Sequence, residues 1–340
     1  MQLQDVLTRA LEGFPPTRDE MVQLLRYSEF SLETAQLRAV ANHISRKRLD
    51  NHAFLSGQIG YSTAPCSGDC IFCVFAAGHS TFPVTEMSVE EVVVHARKFA
   101  NNGLLGNLWL MSMHDFDLER FIEILRAVRE VLPKSVRLSA NIGDLTLEEA
   151  KRLKNEGLEG AYQSVRLREG IDTKLNREER IQSIQNIQEA GLFWGFCCEP
   201  IGPEHTPEEL ADHILFGMSM KPRSVSAMRR VYLPNSPIAD RGQITLLRLA
   251  QVAAVASLAA LADPEIKIIG CHEPNMVGLT SGTNTGCAES GANPRDEAVE
   301  TTGKRGLTVD DISRMFYEAG FDGVIRADGS RVSLKDYFKS

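Results

Sequence analysis

Apolar residues recur at three- and four-residue spacing over Leu3 to Leu11, Arg18 to Tyr27 and Leu32 to Arg48, with Gly13, Pro15 and Pro16 between the first two stretches. That spacing gathers apolar side chains on one helical face and predicts three short helices before residue 50. From Phe54 the pattern changes to short apolar runs alternating with amphipathic stretches every 25 to 35 residues, roughly the period of repeated βα units on a parallel sheet. Strands are predicted near Phe54 to Gly60, Asn107 to Met113, Ser135 to Ala140, Gly160 to Val165, Phe193 to Cys198, Ser224 to Tyr232 and Glu265 to Gly270, with a weaker eighth near Asn284 to Ala288. Ser88 with Glu91 and Thr146 with Glu149 have capping-box spacing, and Thr206-Pro207-Glu208-Glu209 adds proline at a first helical position.

Seven strands and a weaker eighth predict an α/β fold, a single (β/α)8 TIM-type barrel over residues 53–340 with an N-terminal helical extension over 1–52. A doubly wound open sheet satisfies the same periodicity. No repeat or low-complexity linker divides the chain. Residues 271–307, rich in Gly, Ser, Thr and Asn, show no helical period and are expected to fold as a loop-rich segment over the barrel mouth.

Charge removes several classes of function. Against 37 Lys and Arg stand 45 Asp and Glu, a net charge of -8, with no basic block to track a phosphate backbone. Even Ile244 to Leu261 is interrupted by Arg248 and Gln251, so no bilayer-spanning segment is expected. The start Met1-Gln2-Leu3-Gln4-Asp5 lacks a cationic and apolar leader, which points to the cytoplasm. Neither nucleic acid nor membrane is an expected partner.

Seven cysteines shift attention from fold to chemistry, because three stand in Pro65-Cys66-Ser67-Gly68-Asp69-Cys70-Ile71-Phe72-Cys73. Three thiolates spaced C-x3-C-x2-C can hold three corners of a four-iron, four-sulfur cube and leave one iron open to an exchangeable ligand. Zinc is the competing reading, that of a zinc-binding protein without turnover, with His79 the nearest fourth ligand. Zinc sites, however, generally use paired C-x2-C arrangements, and no second pair follows.

The triplet after the first predicted strand, with Phe72 before its last cysteine, resembles the signature of the radical S-adenosylmethionine superfamily. The helices before the barrel, Cys73 to Gly103, Arg180 to Glu204, Tyr232 to Ile238 and Ala292 to Glu297 are similar to the biotin synthase-like subgroup, which also contains hydrogenase-maturation and methylornithine-forming enzymes. The resemblance implies that Cys66, Cys70 and Cys73 hold the cluster and that its open iron chelates S-adenosylmethionine. One electron then cleaves the cofactor to a 5'-deoxyadenosyl radical, which abstracts hydrogen from an unactivated carbon. It further implies cofactor contacts from Phe72, Gln163, Arg166, Glu199 and Ile201, an electron donor such as ferredoxin or flavodoxin, and a substrate that is a small molecule or attached to a carrier protein, with room for a partner subunit. Met111-Ser112-Met113-His114 stands where the family has a Gly-Gly-Glu-like segment.

Cys197, Cys198, Cys271 and Cys287 all fall near predicted strand ends, which converge in a closed barrel. Neighbouring strand residues face opposite sides; Trp194, Phe196 and Cys198 form the more apolar set, which leaves Cys197 facing inward. Cys197 also falls where biotin synthase has a ligand of its second cluster. An auxiliary cluster on Cys197, Cys271 and Cys287, with His272 or Cys198 as a fourth ligand, would supply sulfur for insertion, as in biotin synthase or the two-protein lipoyl synthases. Ordinary buried cysteines are the alternative, and with them a one-cluster mutase or hydrogenase-maturation enzyme. Arg229 and Arg230 are candidate substrate-carboxylate forks or rim salt bridges, and His114 a proton carrier or structural histidine.

Overall fold

The computed structural model describes residues 2–339. Eight parallel strands form its centre: β1 (His52–Gly60), β2 (Asn107–Met111), β3 (Arg137–Asn141), β4 (Gly160–Tyr162), β5 (Phe196–Ile201), β6 (Ser224–Arg229), β7 (Ile268–His272) and β8 (Thr285–Gly291). They pair in the order β4, β3, β2, β1, β8, β7, β6, β5. That order follows the chain around a ring with no reversal, which excludes the doubly wound alternative. The ring is nearly closed: between β4 and β5 the Ala161 N–H donates to Phe193 O and the Phe193 N–H to Glu159 O, both at 2.9 Å. Above that level the two strands separate, and the indole N–H of Trp194 reaches Gln163 O at 2.8 Å in place of a ladder bond. The barrel is therefore laced at its base and open at its C-terminal mouth.

Sequence caps place the outer helices. Ser88 and Glu91, Thr146 and Glu149, and Thr206 and Glu209 each exchange reciprocal side-chain and backbone hydrogen bonds at the starts of Val89–Ala100, Leu147–Asn155 and Pro207–Ser219. The most apolar helix, Leu246–Ala259, is buried continuously from Leu249 onward. The preceding helices explain this. Helix Leu32–Arg48 packs across it, and Gln251 Nε2 donates to Leu24 O at 2.8 Å and Tyr27 O at 3.0 Å. Helix Arg18–Arg26 lies on Pro207–Ser219, tied by Arg18 to Asp212 at 2.6 Å and by an Arg26–Glu208 ion pair. No helix among the described residues is long and apolar enough to cross a membrane.

Two features depart from the sequence expectation. Residues 271–307 are not one continuous loop, because they contain the short helix Met276–Leu279 and all of β8. The small residues of β8 imitate loop composition for a packing reason: a side chain at Gly286 would strike Ile312 and Phe316 of helix Val309–Glu318. The part that does cross the mouth begins at Ala292. The second departure is at the base, where Gly323–Ile325 pairs in parallel with His52 and Ala53 and antiparallel with Arg331–Ser333.

Gly60 closes β1 against that mouth segment. Its carbonyl accepts the Ala292 N–H at 2.8 Å, and a methyl group on its Cα would collide with the Ala292 carbonyl. Gly60→Ala is expected to cost about 1–3 kcal/mol, read from the urea midpoint, and to remove hydrogen-exchange protection from the Ala292 amide. Unchanged protection would show that the segment is not seated by this contact.

Candidate active site

The cysteine loop has little regular structure and is fixed from outside. The Cys66 N–H donates to Phe75 O at 2.8 Å and the Cys73 N–H to Cys70 O at 3.0 Å. Asp69, in the left-handed region at φ 44°, turns the chain between the first two cysteines. Its carboxylate accepts the Gly78 N–H at 2.7 Å and pairs with Lys174 at 2.6 Å. Ser67 donates through N–H and hydroxyl to Asp115, at 2.7 and 2.6 Å. The Ile71 N–H reaches Asp172 O, the Ser236 hydroxyl reaches Ile71 O, and the Val74 N–H reaches Pro294 O.

Cys66, Cys70 and Cys73 are free and line one cavity of about 240 Å³. The cavity occupies the C-terminal mouth of the barrel, where Met111, Asn141, Tyr162, Glu199, His272 and Glu289 face it from six of the eight strands. Val74, Phe75, Met113, Val231, Leu233 and Ala292 form a separate apolar cluster against Cys66 and Cys73. Burial pushes the Cys70 thiol up to about 11 and that of Cys73 to about 12. The Phe75 N–H donates to Cys73 Sγ at 3.4 Å, the kind of bond that supports a cluster-ligating sulfur.

The donor set fits a cubane better than zinc. Each thiolate of a cubane binds a different iron, so the sulfurs stand apart, and no group of three or more His, Cys, Asp or Glu among the described residues is placed to hold a single ion. His79 gives Nε2 to Cys73 O at 2.9 Å. Arg166 is the counterpart of the thiols. Its guanidinium stands 3.6 Å from Glu199 and 3.8 Å from Glu169, and its buried Nη1 has no hydrogen-bond partner. Burial opposes its charge, but Cys70 and those carboxylates more than restore it.

The remaining expected residues divide clearly. Phe72, Glu199 and Arg166 line the cavity, as do all four residues of Met111 to His114. Gln163 lines it too, but its amide donates to Ile142 O and Gly143 O and its oxygen accepts from Arg180, so it is a structural strut. Ile201 packs in the apolar core rather than against the cavity. Arg229 at the end of β6 and Arg230 after it line the cavity but are paired with carboxylates: Arg230 forks onto Glu204 and donates to Gly242 O, while Arg229 pairs with Glu273 at 3.1 Å. His114 lies 4.0 Å from Asp144, and burial lowers its basicity.

The cysteine trio expected for a second cluster is not gathered. Cys197 faces inward as its strand alternation required, its thiol meeting Glu199 and Tyr162, and Cys287 lines the cavity. Cys271 points the other way. It belongs to the outer apolar core, touches the position of Gly278 and accepts from Asn275 Nδ2 at 3.6 Å. Cys198 is in the same outer core. His272 does face the cavity, where burial and Arg295 push it down to about 4 and keep it neutral. Sequence reasoning assigned nothing to Glu289 and Arg295, a 2.9 Å ion pair on the cavity wall.

Residues 61–217 match the sequence profile of the Radical SAM superfamily. Biotin synthase from Anaplasma marginale (strain Florida) is 25% identical over 255 residues, covering 71% of this chain and 76% of that protein. Mitochondrial biotin synthase from Emericella nidulans is 26% identical over 318 residues, covering 86% and 74%. Among solved structures, methylornithine synthase superposes with a TM-score of 0.79 at 15% identity over 98% of this chain and 99% of its own. The FeFe-hydrogenase maturase from Carboxydothermus hydrogenoformans gives 0.76 at 16% identity, covering 96% and 80%. At such identities the structural matches speak for the fold alone.

The Arg230–Glu204 fork makes a measurable contribution. Burial pushes the Glu204 carboxyl up, but Arg230 more than offsets this and holds it at about 2, below its ordinary 4.5. A carboxyl lowered in the folded state adds stability above its unfolded value and loses it as pH falls through the folded one. The urea midpoint of the wild type is therefore expected to fall between pH 4.5 and 2 more steeply than that of Glu204→Gln. Parallel curves would show that the fork contributes nothing.

Proposed function

We propose, for a chain that belongs to the radical S-adenosylmethionine superfamily and is biotin synthase-like, that it removes hydrogen from an unactivated carbon of a small polar substrate held inside the barrel. One observation carries this reading: three free thiols converge on a cavity that also presents a buried guanidinium with an unpartnered N–H. Cys66, Cys70 and Cys73 would hold a four-iron, four-sulfur cluster, and Arg166 would meet the carboxylate of S-adenosylmethionine. Once bound, cluster and cofactor supply a carbon radical strong enough to break an unactivated C–H bond.

The chain's own residues position and protect. Glu169 accepts the Arg166 N–H at 2.9 Å and, with Glu199, fixes where the guanidinium stands. The apolar cluster of Val74, Phe75, Met113 and Val231 keeps water from the thiols, which suppresses quenching of reactive species. Phe72 lines the cavity between the second and third cysteines. A soluble one-electron donor of the ferredoxin or flavodoxin kind would reach the cluster from the outer side of the cysteine loop.

The geometry favours a single cluster, as in a mutase or maturation-type enzyme. A second reading, sulfur insertion from an auxiliary cluster, draws support from the biotin synthase relatives and from the inward placement of Cys197 and Cys287. The outward Cys271 weighs against it.

Anaerobic reconstitution is expected to give brown protein with about four irons per chain, none after Cys66, Cys70 and Cys73 are changed together to Ala, and 5'-deoxyadenosine on adding dithionite and S-adenosylmethionine. About eight irons, falling to about four in a Cys197→Ala, Cys287→Ala double variant, would move the assignment to sulfur insertion. Colourless protein with about one zinc would sink both.

A further inference from the structure

We propose that Arg295 and Glu289 anchor the substrate, and that the substrate is an amino-acid-type zwitterion whose carboxylate meets Arg295 and whose ammonium meets Glu289. The inference rests on the reading of the cavity as a radical active site and adds the chemical class of what it acts upon.

The other cationic side chains of this wall are already committed. Glu273 pairs with both Arg229 and Arg305, and Glu204 takes Arg230. Arg295 differs. Its Nη2 donates to Glu289 Oε1 at 2.9 Å, while its Nη1 is buried and has no hydrogen-bond partner. A buried charged donor left unmade is costly, so a bound anion would recover energy there. Glu289 is matched in the opposite sense: burial raises its carboxyl, Arg295 only partly offsets this, and an ammonium beside it would favour the ionised form. His272, the remaining titratable group against Arg295 on β7, is neutral and competes for neither charge.

The pair thus presents a positive and a negative group side by side. A purely anionic ligand would satisfy Arg295 but face Glu289, and a purely cationic one would do the reverse. A ligand carrying carboxylate and ammonium on one carbon complements both. The loop that bears Arg295 also supplies Pro294 O to the Val74 N–H, beside Cys73. Substrate anchor and cysteine loop therefore belong to one braced unit, as hydrogen abstraction at short range requires.

The test uses reconstituted holoprotein with S-adenosylmethionine bound. Thermal shift is read across the twenty protein amino acids, and for each also the amine lacking its carboxylate and the acid lacking its amino group. At least one amino acid is expected to raise the melting temperature, with its amine and its acid each ineffective. Titration calorimetry should show that Arg295→Met and Glu289→Gln each weaken that amino acid about tenfold or more, with iron content and the unliganded melting temperature confirming that the variants fold. No shift with any amino acid, an equal shift with the truncated acid or amine, or undiminished affinity in well-folded variants would overturn the proposal. Uncoupled 5'-deoxyadenosine formation by the wild type separates this failure from failure of the radical reading. Nucleoside without amino-acid binding refutes only the substrate class.

Discussion

A loop that must hold three thiols around one cavity has few hydrogen bonds of its own to spare, so its shape has to be imposed by its surroundings. Here the imposition comes from all around the mouth. Asp115 after β2, Asp172 and Lys174 after β4, Ser236 after β6 and Pro294 after β8 each bind the backbone or a side chain between Ser67 and Val74. The loop is held by strands from both halves of the ring, so the thiol arrangement exists only when the ring is assembled. The near-closure between β4 and β5 consequently bears on chemistry as well as stability. Its two base hydrogen bonds and, nearer the mouth, the Leu167 N–H to Glu199 O bond at 2.7 Å tie the segment that carries Asp172 and Lys174 to β5.

The helices that precede the barrel serve the same end indirectly. Helix Leu246–Ala259 links β6 to β7, and its apolar sides would be exposed without Leu32–Arg48 over it. Covering it buries surface along the quarter of the ring that carries Arg229, His272 and, one strand further on, Glu289. This apolar run, too interrupted by Arg248 and Gln251 to span a bilayer, is an interior helix in a two-layer wall.

Most of the ring was legible because local rules and global fold agree. Capping boxes at Ser88, Thr146 and Thr206 and the alternation of short apolar runs sit where the structure has helix starts and strands. The failures are matters of facing. Cys197 was placed correctly because Trp194, Phe196 and Cys198 identify the outward set of its strand. The same test on β7 groups Cys271 with the apolar Ile269 and leaves Gly270 and His272 inward, which is the arrangement found. Proximity to a strand end had been allowed to outweigh parity. For Arg229 and Arg230, which reach the cavity wall, the sequence leaves substrate fork and salt bridge open because it cannot show that Glu273 and Glu204, remote in the chain, already pair with them. The strand at residues 285–291 is only weakly legible, as the eighth strand expected near Asn284 to Ala288, because small residues that make room for helix contact look like residues of a flexible loop.

The charges around the cavity follow from the same accounting of partners. Isolated charges are expensive to bury, and the mouth handles this by giving Arg180, Arg229 and Arg230 each a carboxylate within its own wall. Arg166 and Arg295 differ in what they leave open: each retains a buried terminal Nη without a partner, whereas Arg180 and Arg229 lack one only at Nε. They stand on different walls, Arg166 beyond β4 near Cys70 and Arg295 beyond β8 with Glu289. Two incompletely satisfied cations in one small cavity are stable only if the rest of the barrel holds them there, and each is a place where a ligand gains more than it would in water. The two open terminal nitrogens, one beyond β4 and one beyond β8, give the cavity two separate points at which an anionic group can be held.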